Sequence, residues 1–135
     1  MNILITGANG QLGNEMKVLS AENTQHTYFF TDVQELDICN EEAIEAFVAE
    51  NEIELIVNCA AYTAVDNAED NRELCDKLNH IAPGYLARAA QRRGAAIIQV
   101  STDYVFDGTA HIPYTEEEPT CPASVYGSTK LAGEQ

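Results

Sequence analysis

Basic side chains are scarce in this sequence. Seven Lys and Arg stand against 22 Asp and Glu, giving a formal net charge of −15 over 135 residues. So acidic a surface repels phosphate backbones and argues against a nucleic-acid partner. Long apolar runs are missing too. No stretch approaches the roughly 20 residues that a membrane-spanning helix needs. The apolar start lacks the basic flank of a secretory signal. The expectation is a cytoplasmic protein with no membrane partner.

Cysteine pairs are also absent. Cys39, Cys59, Cys75 and Cys121 show neither a Cys-x-x-C pair nor metal-ligand spacing. Cys59 lies inside an apolar run, where a buried thiol is expected. A reducing compartment without structural disulfides follows as the expectation. Internal repeats and low-complexity stretches are lacking as well, so the length reads as one domain.

What is present alternates. Residues 2–6, 27–31, 54–60 and 96–100 are short, apolar and partly β-branched, as in strands buried on both faces. Between them lie helical patterns. Leu12, Met16 and Leu19 mark one, and Ala43, Ile44, Phe47 and Val48 another, with Asn40 as its N-cap. The longest, about 70–93, places Leu74, Leu78, Ile81, Ala82, Tyr85, Leu86, Ala89 and Ala90 on one stripe, with Gly94 as its stop. Pro83 interrupts that stripe, so a kink is expected near Asn79–Pro83. Residues 109–123 read as an exposed loop. The order predicts an α/β fold, a Rossmann-type parallel sheet with helices on both faces.

Gly7, Gly10 and Gly13 follow the first strand and open the first helix, the context that a dinucleotide loop requires. Glycine there permits the tight turn, the close approach of a pyrophosphate and the packing of helix on sheet. The helix N-terminus offers N–H groups to the anion. Asp32 ends the second strand nineteen residues after Gly13. That is close to the roughly 20-residue offset at which an acid meets the adenosine ribose. No Lys or Arg lies between Val33 and Ala43 to receive a 2′-phosphate. NADH is therefore favoured over NADPH.

Tyr126 and Lys130 have the spacing that puts a phenol and an ammonium on one helical face. A neighbouring ammonium stabilises phenolate and suits tyrosine to proton transfer near neutral pH. The fourth strand runs into Ser101 and Thr102, placing hydroxyls at its carboxyl end, where ligands bind in open α/β sheets. Thr102 there can hold a carbonyl oxygen by a hydrogen bond.

Thr6-Gly7-x-x-Gly10-x-x-Gly13, Asn58-Cys59-Ala60-Ala61 and Tyr126-x-x-x-Lys130 together resemble the extended short-chain dehydrogenase/reductase family. The stretches 57–69, 101–108 and 125–134 are similar to the sugar-nucleotide reductases within it. Those enzymes reduce the 4-keto group of a dTDP-6-deoxy sugar. The resemblance implies that Gly10, Gln11 and Leu12 contact the pyrophosphate, and that Asp37 and Ile38 flank the adenine. It implies that Ala61, Tyr62, Thr63 and Val100 line the nicotinamide side. Thr102, Tyr126 and Lys130 would be catalytic, Tyr126 and Lys130 also holding cofactor, with Thr102 and Asp103 toward the sugar. Glu15 matches a position implicated in magnesium binding, and a homodimer is allowed. Residues 1–135 correspond to the family's cofactor domain, and the last strands and the substrate lobe are expected to be absent. Two other readings stay open: a non-catalytic NAD(P)-binding regulatory subunit, and a sugar-nucleotide epimerase or dehydratase.

Overall fold

In the computed structural model, which describes residues 1–135, four strands form one parallel sheet. They are β1 (Asn2–Thr6), β2 (Thr27–Phe30), β3 (Leu55–Asn58) and β4 (Ala96–Gln99), in the order β2-β1-β3-β4. The register pairs Ile3 with Tyr28 and Leu55, and Val57 with Ile98. The helices α1 (Gln11–Glu22) and α2 (Glu41–Glu50) connect the first three strands. Between β3 and β4 run α3 (Val65–Ala68), α4 (Arg72–Asp76), a π-helical turn (Lys77–Ile81) and α5 (Ala82–Arg93). A 3₁₀ turn (Asp103–Val105) and α6 (Val125–Glu134) complete the chain.

The core lies on the α2/α5 face of the sheet. Leu4 and Ile56 pack there against Ile44, Val48, Leu86 and Ala89, all fully buried. The other face carries the smaller cluster of Ile3, Ile5 and Val57, with Met16 of α1 against it. Helices therefore cover both faces, as alternation of strand and helix requires. Asn40 caps α2, its side chain accepting from the Ala43 N–H at 3.1 Å. Gly94 ends α5 in the left-handed conformation at φ 66°.

Two expectations are corrected. β4 is not buried on both faces: Ile98 is 51% exposed, on the face of the sheet where α1 packs against β1 and β2. A central and an edge strand share the same apolar composition here, so composition did not separate them. The helical stripe also changes phase at the expected kink. Leu74 and Ile81 are exposed, and Cys75 and Asn79 are buried in their place. The cause is the π turn, in which the Ala82 N–H bonds Lys77 O five residues back. The extra residue rotates the upstream turns. Pro83, with no N–H of its own, stands four residues after Asn79 and removes the α-type bond to that carbonyl.

Candidate cofactor cleft and catalytic helix

The β1–α1 turn is shaped by glycine. Gly7 has φ 61°, and a Cβ on it would lie 2.6 Å from the Ala60 nitrogen. A Cβ on Gly13 would lie 2.5 Å from Ala8 Cα, so helix and loop can close only without one. Gly10 caps α1 with no side-chain bond, leaving the N–H groups of Gln11, Leu12 and Gly13 with no acceptor in the chain. These N–H groups supply the partial positive charge that an anion takes at a helix start.

They open onto a cleft of about 860 Å³ along the carboxyl edge of the sheet. Gly7, Gly10, Gln11, Leu12, Asp32, Asp37, Ile38, Ala61 and Thr63 line it, as expected from the sequence. Gly13 is buried, and Tyr62, Val100, Thr102, Tyr126 and Lys130 do not line the cleft. Val33, Leu36, Cys59, Ala60 and Leu78 also line it. The Asp32 carboxylate is held by two backbone donors, the Val33 N–H at 2.8 Å and the Asn9 N–H at 3.1 Å. A dinucleotide fits this donor set: free N–H groups for a pyrophosphate, a fixed carboxylate for a ribose, and apolar walls for a base. Glu15 also lines the cleft, but no three metal-ligating side chains cluster anywhere. No step is derived through magnesium. Burial raises the Cys59 thiol pKa, leaving it a poor nucleophile.

Beyond the cleft, α6 packs against the π turn and the 3₁₀ turn. Ser124 caps it, accepting from the Gly127 N–H at 3.0 Å. Lys130 is buried, and its ammonium donates to Val100 O at 2.6 Å. Burial pulls the Lys130 pKa down, while Glu134 and Cys75 push it back up. The Glu134 carboxylate also accepts from Ser101 Oγ. Two side chains one turn apart thus hold the end of β4, whose next residue is Thr102. Thr102 Oγ1 accepts from the Tyr104 N–H at 3.3 Å. The Tyr126 ring meets Tyr104 edge-on at 5.4 Å. Lys130 is thus bonded to strand carbonyl and not to the phenol. Asp103 is exposed beside Thr102.

Asn79 was not singled out in the sequence. It is 1% exposed. Its side chain accepts from the Tyr62 N–H at 2.8 Å and donates to Tyr62 O at 3.0 Å and to Thr129 Oγ1 at 3.2 Å. It ties the loop after β3 to α6. The available signal was an asparagine four residues before a proline.

A parallel sheet with this glycine turn, and with a Tyr-x-x-x-Lys helix at the same carboxyl edge, defines a Rossmann-type fold of the short-chain dehydrogenase/reductase kind. Within that class, a family model described as the RmlD substrate binding domain matches residues 1–135, and the chain belongs to that family. It is 44% identical over 134 residues to a dTDP-4-dehydrorhamnose reductase of Burkholderia thailandensis, covering 99% of this chain and 44% of the relative. The crystal structure of a dTDP-4-dehydrorhamnose reductase from Clostridium acetobutylicum matches with a TM-score of 0.96 at 50% identity. That match covers 99% of this chain and 48% of the other. A dTDP-4-dehydrorhamnose reductase from Bacillus anthracis, solved in complex with NADP, matches with a TM-score of 0.94 at 38% identity, covering 98% and 47%. The chain spans less than half the length of these relatives. No helix is long and apolar enough to cross a membrane.

Proposed function

We propose that this chain is the cofactor-binding part of an NAD(P)H-dependent reductase acting on the 4-keto group of a dTDP-6-deoxy-4-keto sugar. The observation that carries this is a juxtaposition. The glycine-turn cleft opens at the carboxyl edge of the sheet, and on the same edge Lys130 of α6 is bonded to Val100 at the end of β4. The reductase names of relatives at 44% and 50% identity support the substrate class.

When bound, the nicotinamide cofactor supplies the hydride. The α1 N–H groups of Gln11, Leu12 and Gly13 hold its pyrophosphate. Asp32 takes the ribose hydroxyls, which favours NADH, and Asp37 and Ile38 flank the adenine. Ala61, Tyr62, Thr63 and Val100 border the nicotinamide end. Tyr126 Oη hands its proton to the sugar carbonyl oxygen as that oxygen gains charge, and Thr102 Oγ1 donates a hydrogen bond to the same atom. Lys130, one helical turn further along α6, would stabilise the phenolate left behind. Asp103 faces the sugar.

Tyr126→Phe in the full-length protein tests the assignment. Turnover of NADH or NADPH with the keto-sugar nucleotide should fall about 10²–10⁴-fold, the range of a lost general acid. Cofactor affinity should hold within about 3-fold, well under the tenfold that 1.4 kcal/mol represents. Near-normal turnover by this variant rejects the role of Tyr126.

A further inference from the structure

Tyr126 is the second residue of α6. A tyrosine deeper in a helix is kept from one side-chain rotamer by the turn before it. Tyr126 has only Val125, the cap Ser124 and a loop before it, so packing from outside α6 must set its ring. Lys130 does not hold the phenol, because its ammonium bonds Val100 O. The aromatic partner is Tyr104 of the 3₁₀ turn, whose ring meets Tyr126 at 5.4 Å between centres and 70° between planes. Edge-to-face pairs of this kind are a preferred aromatic geometry. The backbone of Tyr104 reaches a second group given to the reaction: its N–H donates to Thr102 Oγ1 at 3.3 Å. Its carbonyl lies against Gly127, where a Cβ would collide with it. The turn therefore sits directly on the α6 backbone, one residue from Tyr126. On its other side the Cys121 N–H donates to Val105 O at 2.9 Å. Tyr104 is 49% exposed, so burial in the core does not account for the placing of its ring.

We propose that Tyr104 is a positioning residue for the reduction, setting the Tyr126 phenol and the Thr102 hydroxyl against one carbonyl oxygen. This rests on the catalytic reading given above. Both groups must reach the same atom, Tyr126 to protonate it and Thr102 to donate a hydrogen bond to it. They come from different elements, α6 and the end of β4, and Tyr104 touches both. Its N–H takes one lone pair of Thr102 Oγ1, which leaves the hydroxyl hydrogen to be aimed. That hydrogen now points to Asp103 Oδ1 at 3.3 Å, a long bond that a substrate oxygen can replace. The Tyr104 ring limits how far the Tyr126 ring can swing, where α6 itself sets no limit. The ring alone does this, and the Tyr104 hydroxyl has no part in it.

The test is steady-state kinetics of the full-length protein with dTDP-4-keto-6-deoxy sugar and NADH or NADPH. Tyr104→Leu removes the ring and should lower kcat about 10-fold, because misplacing a reacting group by about 1 Å costs up to about 10²-fold. KM for the sugar and Kd for the cofactor should stay within about 3-fold, since the lost interaction serves the transition state. Tyr104→Phe keeps the ring and should hold kcat within about 2-fold of the unsubstituted protein. Added to Tyr126→Phe, Tyr104→Leu should cost no more than about 2-fold further, because the proton that it positions is already gone. A residue needed only for folding would slow both backgrounds alike. An equal loss in both backgrounds, a raised KM at unchanged kcat, or a Tyr104→Phe as slow as Tyr104→Leu each overturns the positioning role. So does normal turnover by Tyr104→Leu where Tyr126→Phe is slow. If Tyr126→Phe itself turns over normally, the catalytic reading falls, and the positioning role with it.

Discussion

Asn79 offers the sharpest structural prediction. Replacing it with alanine deletes the acceptor for the Tyr62 N–H, the donor to Tyr62 O and the donor to Thr129 Oγ1. Each such bond contributes about 0.5–1.5 kcal/mol net, and a buried group left unpaired costs about 1–3 kcal/mol. Water reaches part of the half-buried Tyr62 backbone, so the lower part of the combined range applies. The expected loss is about 2–4 kcal/mol. For a domain of this size, 1 kcal/mol shifts Tm by about 3–5 °C, so Asn79→Ala should melt about 6–20 °C lower. Thr129→Val keeps both bonds to Tyr62 and should lose about 1 kcal/mol. The assay is thermal unfolding of the three proteins by circular dichroism, with NADH titration of each. NADH affinity should fall in Asn79→Ala, because the Tyr62–Thr63 loop is no longer fixed, and change little in Thr129→Val. A melting point within about 3 °C of the parent would refute the brace.

Two further outcomes follow from the cleft. Asp32→Ala should weaken NADH by about 10-fold, the value of a charged hydrogen bond, and narrow the difference between NADH and NADPH in the same titration. Much tighter NADPH than NADH binding by the unsubstituted protein would contradict the role given to Asp32. Lys130 governs a pH dependence. Its folded pKa lies below 10.5, so between that lowered value and 10.5 the unfolded chain binds more protons. Stability contributed by this group therefore rises with pH across that window and is lost as pH falls through the folded value. Glu134 and Cys75 are the charged and titratable groups facing it, and they narrow the window. Denaturant unfolding at pH 8, 9 and 10 should show the unsubstituted protein gaining on Lys130→Met as pH rises. A constant difference would contradict the burial of this ammonium.

The fold was legible where one residue type has one physical use. Gly7 and Gly13 fill backbone positions that a Cβ would clash with, and their spacing announced the turn. Asn40 and Gly94 marked helix ends by their capping chemistry. In the cleft, Asp32 was read from its offset to the glycine turn, whereas Ala61 and Thr63 came only from the family resemblance; all three line it. What escaped depended on three-dimensional context. The run from Ala96 to Val100 reads alike for an edge and a central strand. The π turn moved Cys75 and Asn79 inward and Leu74 and Ile81 outward, a phase change that 3.6-residue periodicity cannot register. Tyr104 meets the Tyr126 ring only once the 3₁₀ turn docks on α6, and spacing alone gave no sign of it. The bond from Lys130 to Val100 joins α6 to the strand end at a sequence separation of 30, a contact that only the folded chain makes.

The central claim, hydride delivery to a sugar carbonyl at the end of β4, is tested most directly by isotope transfer. The full-length protein would be given dTDP-4-keto-6-deoxy sugar and NADH or NADPH deuterated at both hydrogens of nicotinamide C4. The product would be read by mass spectrometry and proton NMR. One deuterium per turnover should appear, bound at sugar C4, with stoichiometric cofactor oxidation. A sugar converted without net cofactor oxidation would place the chain among epimerases or dehydratases. Bound cofactor with no conversion of the sugar would make it a binding subunit, and either result would contradict the account.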